Sequence, residues 1–211
     1  MIVGLMALCR FPYYEMCLRS LLALVDKVYL RFDGITGDKK TLDSIPEICG
    51  DKLGELYTSS SEWNAFVWRE ELIRMLDDVK PEIVLFPDED ESFGPGIEKD
   101  INRLRKSDKR QMAFNYEYPA PSTDGWKWHK PYPSEPHIKC YKWEEGLTYI
   151  PYKKRASLSK YGKFNYKLAK SKVLHYCFYT PELRRNKLWS GPAKKKWFKK
   201  EMRKKNELAI S

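Results

Sequence analysis

Short apolar segments alternate with amphipathic segments through the first ninety residues, and this alternation restricts the possible folds more than any other feature of the chain. We predict strands at Ile2–Cys9, Val28–Phe32, Glu55–Thr58 and Ile83–Phe86. Runs of this length suit strands that are buried in a sheet. Apolar residues at spacings of three and four predict helices between them, over 13–25, 39–48 and from Ser59-x-x-Glu62 toward Pro81.

Strands that alternate with helices pair in parallel through right-handed crossovers, which predicts an α/β sheet with helices on both faces. Ligands of such sheets bind at the carboxyl ends of the strands. Farther along we predict a helix over 96–106, a strand over Gln111–Tyr118, a Pro- and Trp-rich loop over 119–136, a hairpin of His137–Trp143 with Leu147–Tyr149, and an apolar strand over Val173–Phe178.

Composition excludes a small stapled scaffold and a disordered chain, because 211 residues with 42% hydrophobic content can bury one full core. The five cysteines are an odd number and widely spaced, which favours free thiols in a reducing compartment. The apolar start, Met1–Cys9, has no preceding basic region and is far shorter than a membrane span of ~20 residues. We therefore expect a soluble protein of the cytoplasm.

The positive charge is concentrated at the end of the chain. Residues 151–211 contain 19 Lys and Arg against three Asp and Glu, whereas the first 150 residues are acidic overall. In this segment the basic residues alternate with aromatic ones such as Trp189, Trp197 and Phe198, a composition typical of nucleic-acid surfaces. An amphipathic helix that packs its aromatic side chains on the body, or lies on an anionic surface, has the same composition.

Acidic residues cluster where the Ile83–Phe86 strand ends, in Asp88-Glu89-Asp90-Glu91. Alternate residues of an extended segment point the same way, so Asp88 and Asp90 can face one pocket while Glu89 points away. Two such carboxylates suit a hard divalent cation, Mg²⁺ or Mn²⁺, whose remaining coordination positions are filled by water and by phosphates of a substrate. A solvated acidic turn is the alternative interpretation.

Further candidates lie at strand ends or on the helix after Ser59. Asp33 can accept hydrogen bonds from a base or ribose, or can simply form the turn with Gly34. Arg10 and Arg69 can neutralise phosphate or be ordinary surface cations. His175 can be a third metal ligand or a hydrogen-bonded core histidine.

Several enzyme classes lose support because their motifs are absent from the sequence. There is no G-x-G-x-x-G or G-x-x-x-x-G-K-[ST] loop, no G-x-S-x-G elbow and no paired C-x-x-C. Dinucleotide oxidoreductases, P-loop NTPases, serine hydrolases and zinc ribbons are therefore disfavoured.

In order and spacing, four segments within about 100 residues resemble the family-2-like glycosyltransferases of the GT-A fold. They are the first strand ending at Arg10, the Val28–Gly34 segment, the Trp-rich helix with Asn64 and Arg69, and Val84–Asp90. The late His175-Tyr176 segment is similar to the histidine segment that completes the metal site in some of these enzymes. Within the family, the chain looks like domains encoded by viruses of Chlorella algae, which implies viral glycosylation in a host cytoplasm and further domains after Ser211.

The resemblance implies a GT-A-like fold: a mixed, mostly parallel central sheet flanked by helices, with a basic C-terminal helical segment. We expect one domain, with residues 1–91 as the nucleotide-binding half, 92–183 as the half that holds the acceptor and closes the metal site, and 184–211 as the basic tail. The implied activity is transfer of a sugar from a nucleotide-diphospho-sugar, a UDP-sugar above all, to a glycan or glycoprotein.

The resemblance also implies roles for particular residues. The donor-binding set is Arg10, Asp33, Asn64, Arg69, Asp88 and Glu89, with Asp33 at the base. Mn²⁺ or Mg²⁺ would be held by Asp88, Asp90 and His175. Trp126, Trp128 and His129 are placed to stack on an acceptor sugar.

The catalytic base is the part of the family pattern from which the sequence departs. Inverting relatives often carry Glu-Asp before a helix, and no such pair stands in 107–136, where Glu117, Asp124 and Glu135 are the available acids. We assign catalysis to Asp90, Glu117 and Asp124. Two other functions stay open: a nucleic-acid-binding module, and a nucleotidyltransferase that would release pyrophosphate.

Overall fold

The computed structural model describes residues 1–9, 12–60, 65–122, 125–129, 136–147, 149–152, 155–158 and 166–176. The helices in these ranges are α1 (Tyr14–Leu22), α2 (Lys39–Cys49), α3 (Ala65–Arg74) and α4 (Ile97–Arg105). The strands are β1 (Ile2–Leu8), β2 (Lys27–Asp33), β3 (Leu53–Ser59), β4 (Ile83–Leu85), β5 (Glu91–Phe93), β6 (Gln111–Ser122), β7 (Gly125–His129), β8 (His137–Lys142), β9 (Tyr149–Tyr152), β10 (Arg155–Leu158) and β11 (Tyr166–His175).

Among the described residues, nine strands form one sheet with the order β3-β2-β1-β4-β8-β6-β11-β5, and β7 pairs with β6 outside this row. The strands from β3 to β4 are parallel, as are β6 and β11. By contrast, β8 runs antiparallel to both β4 and β6, and β5 runs antiparallel to β11. The mixed α/β sheet with flanking helices that the sequence predicts is confirmed.

The core lies on both faces of the sheet, as the alternation of side chains along β1 illustrates. Val3 and Leu5 pack in the cluster that contains apolar residues of α3. Met6 and Leu8 point the other way, into the cluster that contains residues of α1 and α4. Gly4 shares this second face, where a Cβ atom would lie 2.8 Å from Cδ2 of Leu21, so a glycine lets α1 approach the strand closely.

The predicted hairpin of His137–Trp143 with Leu147–Tyr149 is wrong. β8 instead lies between β4 and β6, where Cys140 and Tyr141 are buried. Tyr149 belongs to β9, which pairs with β10 in a separate two-stranded sheet. Burial on both sides stabilises β8 more than a local hairpin could, because an isolated hairpin is marginally stable in water.

The predicted loop over 119–136 is partly wrong, because β6 continues to Ser122 and forms a hairpin with β7. Pro119 and Pro121 are two residues apart, so both missing N–H groups lie on one side of the strand and the other side can still pair. Residues 123–124 and 130–135 of that predicted loop lie outside the described residues.

The described cysteines, Cys9, Cys17, Cys49 and Cys140, are free thiols, as the sequence predicts, and Cys177 lies outside the described residues. None of the helices in the described part of the chain combines the length and apolar content that crossing a membrane requires.

Candidate functional site

The chain directions bring chemically active residues to one edge of the sheet, which we call the carboxyl rim. β1, β2 and β4 end there, as do β6 and β11, while β8 and β5 begin there because they run antiparallel to these neighbours. Asp33 ends β2, the acidic segment of residues 88–91 follows β4, and His175 ends β11. Residues far apart in sequence therefore meet at this rim.

Asp33 is buried at the rim and held by the turn that follows it. Its carboxylate accepts hydrogen bonds from the Thr36 hydroxyl, from the Ile35 N–H at 3.0 Å and from the Cys9 thiol at 3.4 Å. Burial opposes ionisation of the carboxyl, but these donors outweigh it and lower the pKa of Asp33. The carboxylate is thus kept charged in a fixed orientation.

The four acids of the acidic segment contact different parts of the fold. Asp88 pairs with Arg69 of α3 and Lys139 of β8, and Glu89 accepts a hydrogen bond from the Cys9 N–H at 2.7 Å. Asp90 contacts His175 of β11. Glu91 contacts Tyr116 of β6 and also Lys139. These contacts tie one short segment to several elements. The segment is therefore fixed in the fold and is not a solvated turn.

Asp88 lies between two cations. Oδ1 pairs with Nη2 of Arg69, and Oδ2 lies 2.9 Å from Nζ of Lys139. Burial would raise the pKa of the Asp88 carboxyl, but the two cations dominate and hold it well below its usual range. In this arrangement both oxygens of Asp88 face positive charge.

Lys139 is a buried cation of the rim that the sequence did not reveal. Its side chain reaches Glu91 at 2.7 Å as well as Asp88, and the residue is 6% exposed. Burial lowers the pKa of Lys139, but Asp88 and Glu91 outweigh this and raise it. Pairing between β6 and β8 shifts register at this point, from Met112 opposite Cys140 to Ala113 opposite Ile138, so Lys139 is the extra residue of a bulge.

Asp90, Glu91 and His175 together form a group that can hold a metal ion. One carboxylate oxygen of each acid and one imidazole nitrogen all lie within 4.8 Å of one another. Nε2 of His175 is 3.0 Å from Oδ2 of Asp90, and the Asp90 carbonyl accepts from the Tyr176 N–H at 2.8 Å. This group includes Glu91, which the sequence did not single out as a ligand.

Tyr116 contacts two members of this group, Glu91 and His175. Its hydroxyl donates to Oε1 of Glu91, and its ring meets the His175 ring edge-on at 5.1 Å. The same ring stacks on His137, with centroids 4.2 Å apart and planes 9° apart. Three donors, the Tyr116 hydroxyl, the Lys139 ammonium and the Asp88 N–H, thus fix the buried carboxylate of Glu91.

A second buried cation lies deeper in the sheet, below Asp33 on β2. The Arg31 guanidinium is 0% exposed, hydrogen-bonds to Ser59 and Glu71, and lies 3.5 Å from the ring centre of Trp68. Burial lowers the pKa of Arg31, and its contacts with Glu71 act in the opposite direction. Arg31 thereby fastens α3, which carries Arg69, to the sheet.

Of the other site residues that the sequence predicts, some lie outside the described residues and others lie on β6 and β7. Arg10, Asn64 and Asp124 lie outside the described residues, as do Glu135 and the basic tail. Trp126, Trp128 and His129 lie on β7, opposite Pro121, Pro119 and Tyr118. Glu117 lies opposite Leu174 of β11 and follows Tyr116, so the two side chains leave β6 on opposite faces.

No family model matches the chain, and no curated protein matches it. Among solved structures, TarS from S. aureus in complex with UDP-GlcNAc is 21% identical with a TM-score of 0.41, and the match covers 56% of this chain and 34% of that one. The 4-diphosphocytidyl-2C-methyl-D-erythritol synthase from Anaerococcus prevotii is 17% identical with a TM-score of 0.44, over 67% and 70% of the chains. HddC from Yersinia pseudotuberculosis is 10% identical with a TM-score of 0.49, over 88% and 97%.

The chain therefore spans about a third of the length of the TarS structure that it matches. Identities of 10–21% and TM-scores below 0.5 establish neither a family nor an activity for this chain. Nothing in these comparisons supports an origin in a Chlorella virus.

Proposed function

We propose that the chain is a glycosyltransferase that moves a sugar from a nucleotide-diphospho-sugar, with a UDP-sugar as donor, to a glycan or glycoprotein. The observation that carries this proposal is the convergence of Asp33, the acidic segment and His175 on the carboxyl rim. Open α/β sheets bind nucleotides at this edge. The rim offers both an acceptor for a base and acids for an ion that accompanies a diphosphate.

In this proposal Asp33 accepts hydrogen bonds from the nucleotide base, because its carboxylate is charged and fixed at the end of β2. Arg69 lies beside the acidic segment and would face the donor phosphates. Arg10, Asn64, Asp88 and Glu89 complete the donor-binding set that the family resemblance implies. The donor would thus lie across β1, β2 and β4.

A divalent cation fits the donor atoms of this rim. Two carboxylates and an imidazole lie within 4.8 Å of one another, and carboxylates suit Mg²⁺ and Mn²⁺. Imidazole is a common ligand of transition metals, so the His175 nitrogen favours Mn²⁺ of the two. Asp90, Glu91 and His175 would hold the ion, with Asp88 as the further candidate that the sequence motif indicates. A bound cation would supply charge that stabilises the departing diphosphate.

The reaction proposed is displacement at the anomeric carbon of the donor sugar, with the nucleoside diphosphate as leaving group. The diphosphate oxygens gain negative charge in the transition state, and Arg69 would stabilise that charge directly. A carboxylate must take the proton of the acceptor hydroxyl if the enzyme inverts configuration, and Glu117 and Asp124 are our candidates. Trp126, Trp128 and His129 of β7 would offer the acceptor sugar a stacking surface.

A panel of nucleotide sugars tests this function, with Mn²⁺, Mg²⁺ or EDTA present and with both free sugar and released phosphate products measured. Metal-dependent release of nucleoside diphosphate from a UDP-sugar supports a glycosyltransferase. Release of pyrophosphate from a nucleoside triphosphate and a sugar phosphate would instead identify a nucleotidyltransferase. Steep salt-dependent binding of a random oligonucleotide, with neither activity, would favour a nucleic-acid-binding module.

A further inference from the structure

The ammonium group of Lys139 lies among the acids that would hold the metal ion, so a fixed positive charge of the protein stands beside a proposed cation site. Its ammonium contacts Oε2 of Glu91 at 2.7 Å and Oδ2 of Asp88 at 2.9 Å. Glu91 also belongs to the group with Asp90 and His175. One carboxylate is therefore shared between a permanent positive charge of the protein and the candidate metal group.

The backbone holds Lys139 in this place. The bulge of β8 inserts Lys139 opposite β6, and its carbonyl accepts from the Phe86 N–H at 2.9 Å, just before the acidic segment begins. A buried ammonium needs paired carboxylates to offset its desolvation, and Asp88 and Glu91 supply them. Arg69 adds a second cation on the other oxygen of Asp88. The local positive charge therefore belongs to the folded rim.

These cations act differently on a free ion and on an ion that carries a diphosphate. A free divalent ion near Glu91 is repelled by the neighbouring ammonium, and it must compete for a carboxylate that Lys139 already neutralises. A diphosphate with a free terminal phosphate, such as UDP or pyrophosphate, brings more negative charge than the ion neutralises, so the same ammonium attracts the complex. The sign of the interaction with Lys139 therefore reverses when the diphosphate is present.

We propose that Lys139 is a positioning residue that makes the rim selective for a divalent ion bound to a diphosphate over the free ion. It acts through Glu91 and Asp88, whose carboxylates it orients and partly neutralises. The proposal rests on the proposed function in one respect only, namely that the rim takes a diphosphate together with a divalent ion. It applies to a diphosphate whose terminal phosphate is free, such as the UDP product or pyrophosphate, because a doubly esterified diphosphate carries only the two charges that the ion neutralises.

The test measures Mn²⁺ affinity by calorimetry and by electron paramagnetic resonance, with and without inorganic pyrophosphate, for wild type, Lys139→Met and Lys139→Arg. We expect Lys139→Met to bind free Mn²⁺ about tenfold more tightly than wild type, and the enhancement of Mn²⁺ binding by pyrophosphate to fall by about tenfold. Lys139→Arg keeps the charge and should retain most of the enhancement. Lys142→Met is the matched control, because Lys142 lies on the same strand but donates to the carbonyls of Arg105 and Ser107.

Loss of the buried ammonium can also lower stability, so thermal unfolding is measured in parallel. If Mn²⁺ raises the Tm of Lys139→Met more than that of wild type, the variant binds the free ion more tightly, as proposed. An equal enhancement by pyrophosphate in wild type and Lys139→Met overturns the proposal, as does the absence of Mn²⁺ binding to wild type when pyrophosphate is present. If the enhancement is lost as expected but no nucleotide sugar is turned over, the inference stands and the glycosyltransferase assignment fails.

Discussion

Nε2 of His175 lies 3.0 Å from Oδ2 of Asp90, although 85 residues separate them in the chain. The contact arises because β11 pairs antiparallel with β5, which begins directly after Asp90 and places His175 opposite Glu91. A late segment thus completes a site whose acids follow the fourth strand. The histidine belongs to the same group of atoms as both acids.

Replacing His175 tests its role at the ion. We expect His175→Ala to weaken Mn²⁺ binding, and the loss to be larger with UDP present, because the ion and the diphosphate share one coordination sphere. Calorimetric titration with and without UDP measures both effects, and His175→Gln, which keeps a polar side chain, should lose less. Unchanged Mn²⁺ affinity in His175→Ala under both conditions would leave His175 as a hydrogen-bonded structural residue.

Asp88 and Asp90 are expected to affect donor binding by different routes. Asp90→Asn removes a charged ligand from the metal group, so metal-dependent UDP binding should fall by at least about tenfold. Asp88→Asn removes the carboxylate that holds Arg69 and Lys139 in place, so the two cations lose their fixed positions and UDP binding should weaken even in EDTA. Fluorescence titration of UDP distinguishes the two, and Glu98→Gln on exposed α4 surface serves as the control. Wild-type donor binding in both variants would remove the acidic segment from the site.

Asp33 should contribute to nucleotide binding and to stability at neutral pH. Asp33→Asn should weaken UDP binding with or without metal, because a charged acceptor for the base is lost. The folded state lowers the pKa of Asp33, so its contribution to the free energy of unfolding is present above the unfolded pKa, ~3.9, and is lost as pH falls through the folded pKa.

Urea unfolding of wild type and Asp33→Asn from pH 7 to pH 2.5 measures this contribution. The difference in the free energy of unfolding should be largest near neutral pH and should shrink below about pH 4. A difference that does not change with pH would show that the charge of Asp33 contributes nothing to stability.

Arg31 is expected to be structural. Arg31→Met leaves Glu71 and Ser59 without their buried donor and should lower the free energy of unfolding by ~3 kcal/mol. Arg19→Ala, which breaks only the exposed pair with Glu15, should cost no more than ~0.5 kcal/mol. Urea denaturation compares them, and the double variant Arg31→Met, Glu71→Met should recover part of the loss. Equal stability of Arg31→Met and Arg19→Ala would contradict the buried role.

The sequence located Asp33 and the acidic segment because both follow apolar strands, and strand ends can be recognised from local composition. It did not predict that Glu91 is buried, at 1% exposure, because a run of acids reads as a solvated turn. Burial of Glu91 depends on Tyr116 and Lys139, which reach it from strands that come later in the chain. Contacts of this kind depend on which strands become neighbours, and local patterns do not encode that.

The sequence does not reveal the role of Lys139, for the same physical reason. Its sequence context, His-Ile-Lys-Cys-Tyr-Lys, is a short alternating strand in which a lysine suggests an exposed position. The sequence predicts the strand but not its partners, because β8 pairs with β4 and β6 instead of with the segment that follows it. The bulge that turns the lysine inward exists only in that pairing. A charged residue between apolar ones was the one available signal.

The position of β11 between β6 and β5 in the sheet sets the order in which this rim can form. β5 cannot pair, and Asp90 cannot contact His175, until residues 166–176 dock. The pairings of β11 with β5 and β6 join segments that are far apart in the chain. Folds dominated by such distant pairings have high contact order and refold slowly. We expect a refolding chain to acquire helices and the parallel strands β1 to β4 first, and to gain its capacity to bind Mn²⁺ only in the slowest phase.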